Sequence, residues 1–176
     1  RPLASGASYA RSVEGIVLPL DAGLNAGNYY LLVKSDYTGV EPELNENNNV
    51  LARPITLSLP LIADLSVSGV QVPAEPMFSG GTATVAFTLH NTGQAAASNF
   101  HNRLYLSGNG TSQDIFVGDY FYTQTLAAGG SVAVEQTITV PLYQPGDWYL
   151  LVVADSSNQI YEHTNEGNNR GTSPTA

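Results

Sequence analysis

The chain has 176 residues, no cysteine, and a net charge of −9 from six basic and fifteen acidic side chains. That balance repels phosphate backbones and anionic headgroups, so no nucleic-acid partner and no membrane insertion are expected, and the lack of thiols excludes disulfides and sulfur metal sites. Hydrophobic residues reach 43% against 12% charged, enough for a packed core beneath a surface of Ser, Thr, Asn, Gln and Gly.

No apolar run approaches the roughly 18–20 residues of a membrane-spanning helix. No signal-peptide pattern and no initiator Met precede "RPLASG", so the sequence reads as a piece of something longer.

The first stretch, "LASGASYARSVEGIVLP" at 3–19, is expected to hold a strand, and "GNYYLLVKSD" at 27–36 a second. The oxygen-rich "VEPELNENNN" at 40–49 reads as a loop leading into a third strand, and "SLPLIADL" around Pro60 as a short, stiff linker. Beyond it the alternation is β throughout. "ADLSVSGVQV" turns Leu65 and Val67 inward, "TVAFTLHN" Val85, Phe87 and Leu89, and "NRLYLS" Leu104 and Leu106. In "GDYFYTQ", Tyr120 and Tyr122 share one face with Phe121 opposite, an aromatic pair that could stack on sugar rings or pack an edge strand. "SVAVEQTITV" places Val132, Val134, Ile138 and Val140 together. "GDWYLLVVAD" is apolar on both faces; comparison with Lys34 in the earlier copy makes Tyr149, Leu151 and Val153 the wetter side and Trp148, Leu150, Val152 and Ala154 the core side.

That comparison rests on an internal repeat. "GNYYLLVKSD" and "GDWYLLVVAD" share six of ten residues at an offset of 119, and "VEPELNENNN" matches "IYEHTNEGNN" at an offset of 120. The later copy is preceded by about sixty residues with no counterpart before residue 1. Residues 62–176 are therefore expected to form a complete seven-stranded immunoglobulin-like β-sandwich, and residues 1–59 the C-terminal half (strands E, F and G) of a preceding one. Alone, that half would expose about eight core side chains at ~1.5–3 kcal/mol each, comparable with the whole stability of a domain, so it needs strands from elsewhere.

These stretches resemble a CARDB module, the cell-adhesion-related domain found in bacteria. The likeness rests on "NTG" at 91–93, "LYLS" at 104–107, "GDWYL" at 146–150 and the ending "EGNN" at 166–169, in family order, with the second half repeated over 3–53. It implies an all-β immunoglobulin-like fold and tandem placement in exported or surface proteins of bacteria and archaea. The implied role is adhesive or structural, with no catalytic residue carried over. Copy one departs where Pro42 stands in place of Glu162 and Glu43 in place of His163.

The acidic loops pose the functional question. Asp155, Asn158, Glu162, Asn165 and Glu166, with Asp36, Asn45 and Glu46 in the first copy, could supply part of the about six to eight oxygens that calcium takes at roughly 2.3–2.6 Å. Their spacing matches no EF-hand, and the same residues favour turns and caps by bonding nearby backbone. Asn109, Asp114 and Asp119 make a second acidic loop. No nucleophile elbow, facing carboxylate pair or histidine triad emerges, so no enzyme is expected. Three functions stand as expectations: a rigid tandem spacer or interaction unit outside the cell, with adjacent modules as partners and no required cofactor; a calcium-dependent module binding surface glycan or protein; and a filament subunit completed by strand exchange.

Overall fold

The structure is a computed structural model that describes residues 3–18, 23–74, 76–142 and 145–176. The chain divides into two compact units, Arg1–Leu59 and Pro60–Ala176. Each is described by itself.

The second unit is an antiparallel sandwich. Strands β3 (Leu65–Gln71), β4 (Thr82–Asn91) and β7 (Ser131–Thr139) form one sheet in the order β3-β4-β7. Strands β6 (Ile115–Tyr122), β5 (Phe100–Ser107), β8 (Tyr149–Val153) and β9 (Arg170–Thr172) form the other, in the order β6-β5-β8-β9. The all-β, immunoglobulin-like fold expected from the alternation is the fold observed. Leu65, Val67, Val85, Phe87, Leu89, Leu104, Val134, Ile138, Leu150, Val152 and Ala154 meet in one core, because side chains two apart on a strand share a face.

Two details differ from expectation. Leu151 and Val153, read as the wetter side of β8, are buried. The strand is central in its sheet, so each has cross-strand neighbours on both sides: Tyr105 and Thr172 flank Leu151, and Arg103 and Arg170 flank Val153. Long arginine stems can cover an apolar neighbour while the head stays in water. A loop seals the rest. Thr172 Oγ1 donates to Gly110 O (2.7 Å), Arg170 Nη1 donates to Thr111 O (3.2 Å), and a Cβ on Gly110 would lie 3.7 Å from the Tyr149 ring. Trp148, read as the core anchor, is only half-buried and lies outside the main core. It sits at one end of the sandwich beside Met77 and Leu106.

In the first unit, β1 (Gly27–Lys34) pairs with β2 (Val50–Leu57) as a two-stranded antiparallel sheet. The strand expected within 3–19 is not there: residues 3–18 carry no β-ladder, and residues 19–22 lie outside the described residues. The second unit supplies the reason. The equivalent strand, β7, takes its ladder hydrogen bonds from β4, and the described residues of the first unit hold no counterpart of β4. A strand without a neighbour has nowhere to place its backbone donors and acceptors except water.

Candidate functional site: the acidic hairpins

The two acidic stretches fold as geometric twins at their first turn. Asp36 and Asp155 both sit in left-handed backbone, at φ 39° and 41°, which a short side chain that bonds locally tolerates. Asp36 accepts from Val40 N (3.0 Å) and Glu41 N (3.1 Å), one through each carboxylate oxygen. Asp155 does the same with Gln159 N (2.8 Å) and Ile160 N (2.7 Å). Each aspartate's carbonyl accepts from the amide three residues on, Gly39 N at 3.0 Å and Asn158 N at 2.9 Å. Each hairpin is then closed by one bond of the same register, Ser35 N to Asn49 O (2.9 Å) and Ala154 N to Asn169 O (2.8 Å).

Beyond that turn the copies diverge. In copy one, Asn45 Oδ1 caps a short 3-10 turn over Glu46–Asn48 by accepting from Asn47 N at 3.0 Å. Glu46 accepts from Glu43 N (3.0 Å) and Asn49 Nδ2 (3.3 Å). In copy two, Glu162 turns into the sandwich and is 0% exposed. Its carboxylate accepts from the backbone N–H of Leu65 at the start of β3. With the Asn169 amide oriented to satisfy its neighbours, Asn169 donates to Glu162 Oε2 (3.0 Å) and to Asn168 Oδ1 (3.1 Å). Asn168 Nδ2 in turn donates to Asp64 Oδ1 at 2.8 Å.

Asp64 leads to the "NTG" turn. Thr92 Oγ1 donates to Asp64 Oδ2 (2.8 Å), and Asp64 N donates to Asn91 Oδ1 (3.2 Å). Asn91, fully buried, also accepts from Gly93 N (3.1 Å) and donates to Ala95 O (2.8 Å) and Leu126 O (3.0 Å). Gly93 is required there: a Cβ would come within 2.5 Å of backbone atoms of Ala63 and Asp64. The "NTG" and "EGNN" motifs, about seventy-five residues apart in sequence, are therefore one network tying the β8–β9 hairpin to β3 and β4.

Burial first of all, and then the carboxylates of Glu166 and Asp155, push the Glu162 carboxyl up to about 7, against the Leu65 N–H and Asn169, which pull it down. Burial also raises Asp155, despite the Ile160 and Gln159 amides. Glu166 Oε1 accepts from Glu162 N (3.1 Å). Glu162 Oε1 and Glu166 Oε2 are buried with no hydrogen-bond partner among the described residues. Asn158 and Asn165 are exposed and enter through their backbone amides. Among the described residues, no three His, Cys, Asp or Glu side chains converge closely enough to hold a metal ion. The second acidic loop is closed in the same manner: Asp114 Oδ2 accepts from Gly108 N and Ser112 Oγ, both at 2.8 Å, and Asn109 Oδ1 accepts from Thr111 N and Ser112 N. The bond from the Gly108 amide, and then that from Ser112, hold Asp114 below the usual carboxylate range.

Tyr120 and Tyr122, read as a candidate stacking surface, face the core instead. Tyr122 is buried against Phe100 (ring centroids 5.3 Å), and Tyr120 stands edge-on to Phe87 at 6.4 Å. The exposed aromatics on this sheet are Phe121, of the opposite parity, and Phe116, which the bulge in the β5–β6 pairing brings to the outer face. Phe121 stacks at 4.5 Å on His101, whose Nδ1 lies 2.7 Å from Asp119, and Tyr105 meets Phe116 at 6.0 Å. His101, Arg103, Tyr105, Phe116 and Asp119 line a shallow open depression of about 400 Å³. The inward "Leu104, Leu106" parity already implied that 101, 103 and 105 face out, and that signal could have located this face.

The CARDB family model matches residues 62–173. No curated protein matches the chain. Among solved structures, the solution structure of a CARDB domain from Pyrococcus furiosus is similar at 19% identity and TM-score 0.47, covering 64% of this chain and 93% of that one. A crystal structure of that domain in complex with di-metal ions gives 18% identity and TM-score 0.48 over 65% and 93%. β-Glucosidase 3B from Thermotoga neapolitana, with glucose, gives 20% identity and TM-score 0.40 over 63% of this chain and 16% of the enzyme. With one closed sandwich, its two signature motifs joined in a single network, and a family match spanning that sandwich, the chain belongs to the CARDB family.

Proposed function

We propose that the chain is a non-catalytic structural segment of a bacterial extracellular or cell-surface repeat protein, serving as a rigid tandem spacer and interaction unit. One observation carries this reading. Glu162, Asn168 and Asn169, among the residues most able to bind something, are engaged in holding the module's last hairpin to its first strand, while Asp155 closes its own turn. A hairpin locked across both sheets resists extension, because the two sheets cannot separate without breaking buried hydrogen bonds. Single-molecule stretching of the intact chain tests this. A single cooperative rupture from residues 60–176 is expected; gradual extension without a force peak would overturn it.

A calcium-dependent glycan- or protein-binding module is the second reading, favoured by the unpartnered Glu162 Oε1 and Glu166 Oε2. A cation bridging them would satisfy both oxygens and remove the repulsion between them. Thermal melts with calcium and with chelator separate the readings: equal midpoints support the spacer alone, and a higher midpoint with calcium supports the second.

A further inference from the structure

Among the described residues, the sheet of β1 and β2 has an uncovered inner face and a free strand edge, and the second unit shows what such a sheet is built to receive. Leu31 and Val33 are 41% and 55% exposed, while their repeat partners Leu150 and Val152 are 1% and 0% exposed. What covers Leu150 and Val152 is specific. Strand β5 pairs antiparallel along the edge of β8, with Leu106 opposite Leu150, Leu104 opposite Val152 and Arg103 opposite Val153. Strand β3 packs across the face of β8 and β9. Tyr30, Leu32, Val50 and Leu51 are exposed as well, a concentration of apolar surface on a two-stranded sheet that a soluble chain does not leave bare.

We infer that residues 23–59 form a docking surface for the front half of a CARDB module, a segment equivalent to β3–β6. Its β5-like strand adds antiparallel to the free edge of β1, opposite Leu31, Val33 and Lys34. This rests on the proposed tandem role and deepens it by naming the partner, the edge and the register. The twin turns at Asp36 and Asp155, and the matching closing bonds at Asn49 and Asn169, show that the two hairpins share one frame, which licenses carrying the register across.

Two differences define the partner further. Where β8 ends in Val153 opposite Arg103, β1 ends in Lys34; an arginine there would face a like charge, so the cognate strand carries an acidic or neutral residue. Where β9 has Gly171, so close to β3 that a Cβ would sit 2.6 Å from Val67 Cγ1, β2 has Leu51. The cognate crossing strand therefore carries a smaller residue in place of that valine.

The test fuses a second copy of residues 60–125, carrying Val67→Ala and Arg103→Glu, directly ahead of Leu3 in the full chain. Amide hydrogen exchange is then read at residues 30–34. Docking predicts exchange at least about a hundredfold slower than in the unfused chain, with the protein still monomeric by sedimentation. A fused copy also carrying Leu104→Asp and Leu106→Asp should give no such slowing. Unchanged exchange in the first fusion would overturn the inference. So would equal slowing by the doubly charged fusion, or an unfused chain whose self-association already protects these amides. The stretching result from residues 60–176 is independent of all these outcomes, so failure of the docking and failure of the spacer reading can be told apart.

Discussion

Asn91→Ala is expected to destabilise the CARDB module by about 3–5 kcal/mol, a large part of the ~5–15 kcal/mol that holds a typical domain together. The asparagine is the hub of the motif network. It accepts from Asp64 N and Gly93 N and donates to Ala95 O and Leu126 O. Alanine removes all four bonds at once and leaves one buried and three part-buried backbone groups without that partner, each costing on the order of 1 kcal/mol. Urea titration followed by circular dichroism would read the change as a lower midpoint at unchanged slope. A loss below about 1 kcal/mol would mean that water or a neighbouring group replaces the side chain, and that the "NTG" turn is not the hub described here.

Glu162→Gln has the second large effect, and its sign depends on pH. The folded-state carboxyl titrates at about 7 against an ordinary value of 4.5. Between those values the folded protein holds a proton that the unfolded chain has released. Stability from this group is thus fully present below 4.5 and is lost as pH rises to about 7. The loss is on the order of 3 kcal/mol. Asp155, also raised by burial, acts in the same direction. Glutamine carries no such penalty and has an amide to offer the Glu166 carboxylate. The variant should match wild type near pH 4.5, exceed it by about 2–3 kcal/mol at pH 8, and show a flatter profile between. Parallel profiles for the two proteins would show that Glu162 ionises freely in the folded state.

The same residue marks where sequence reading reached its limit. Alternation exposed the inward sets of β3, β4, β5 and β7, because a strand with one buried face writes that face into every second residue. The repeat was legible too, and Asp36 and Asp155 fold alike because their turn is made entirely of local backbone bonds. Glu162 was different. Its partner, the Leu65 N–H, comes from the far end of the module, and a glutamate in a run of Asn and Thr has the composition of a solvated loop. For Tyr120 and Tyr122, stacking on sugars and packing both stood open, because Phe121 between them is equally aromatic and periodicity gives two faces without saying which is inside; the rings pack. Leu151 and Val153 looked wet because the copy compared with them carries Lys34, yet their burial comes from flanking strands and a folded-over loop. The strand expected within 3–19 had the right pattern and lacked only a neighbour. Pattern makes a strand possible, and a ladder partner makes it real.

From the exposed Leu31 and Val33 we infer that residues 27–57 are half of a module whose inner face stands open. Native-state hydrogen exchange on the dilute, monomeric, unmodified chain tests it most directly. Amides of Tyr30–Lys34 are expected to exchange through small local openings, orders of magnitude faster than those of Leu104, Leu150 and Val152, which should require global unfolding of the second unit. Protection of Tyr30–Lys34 equal to that of Leu150 and Val152 would contradict it, since an open two-stranded sheet has nothing with which to hold those amides closed.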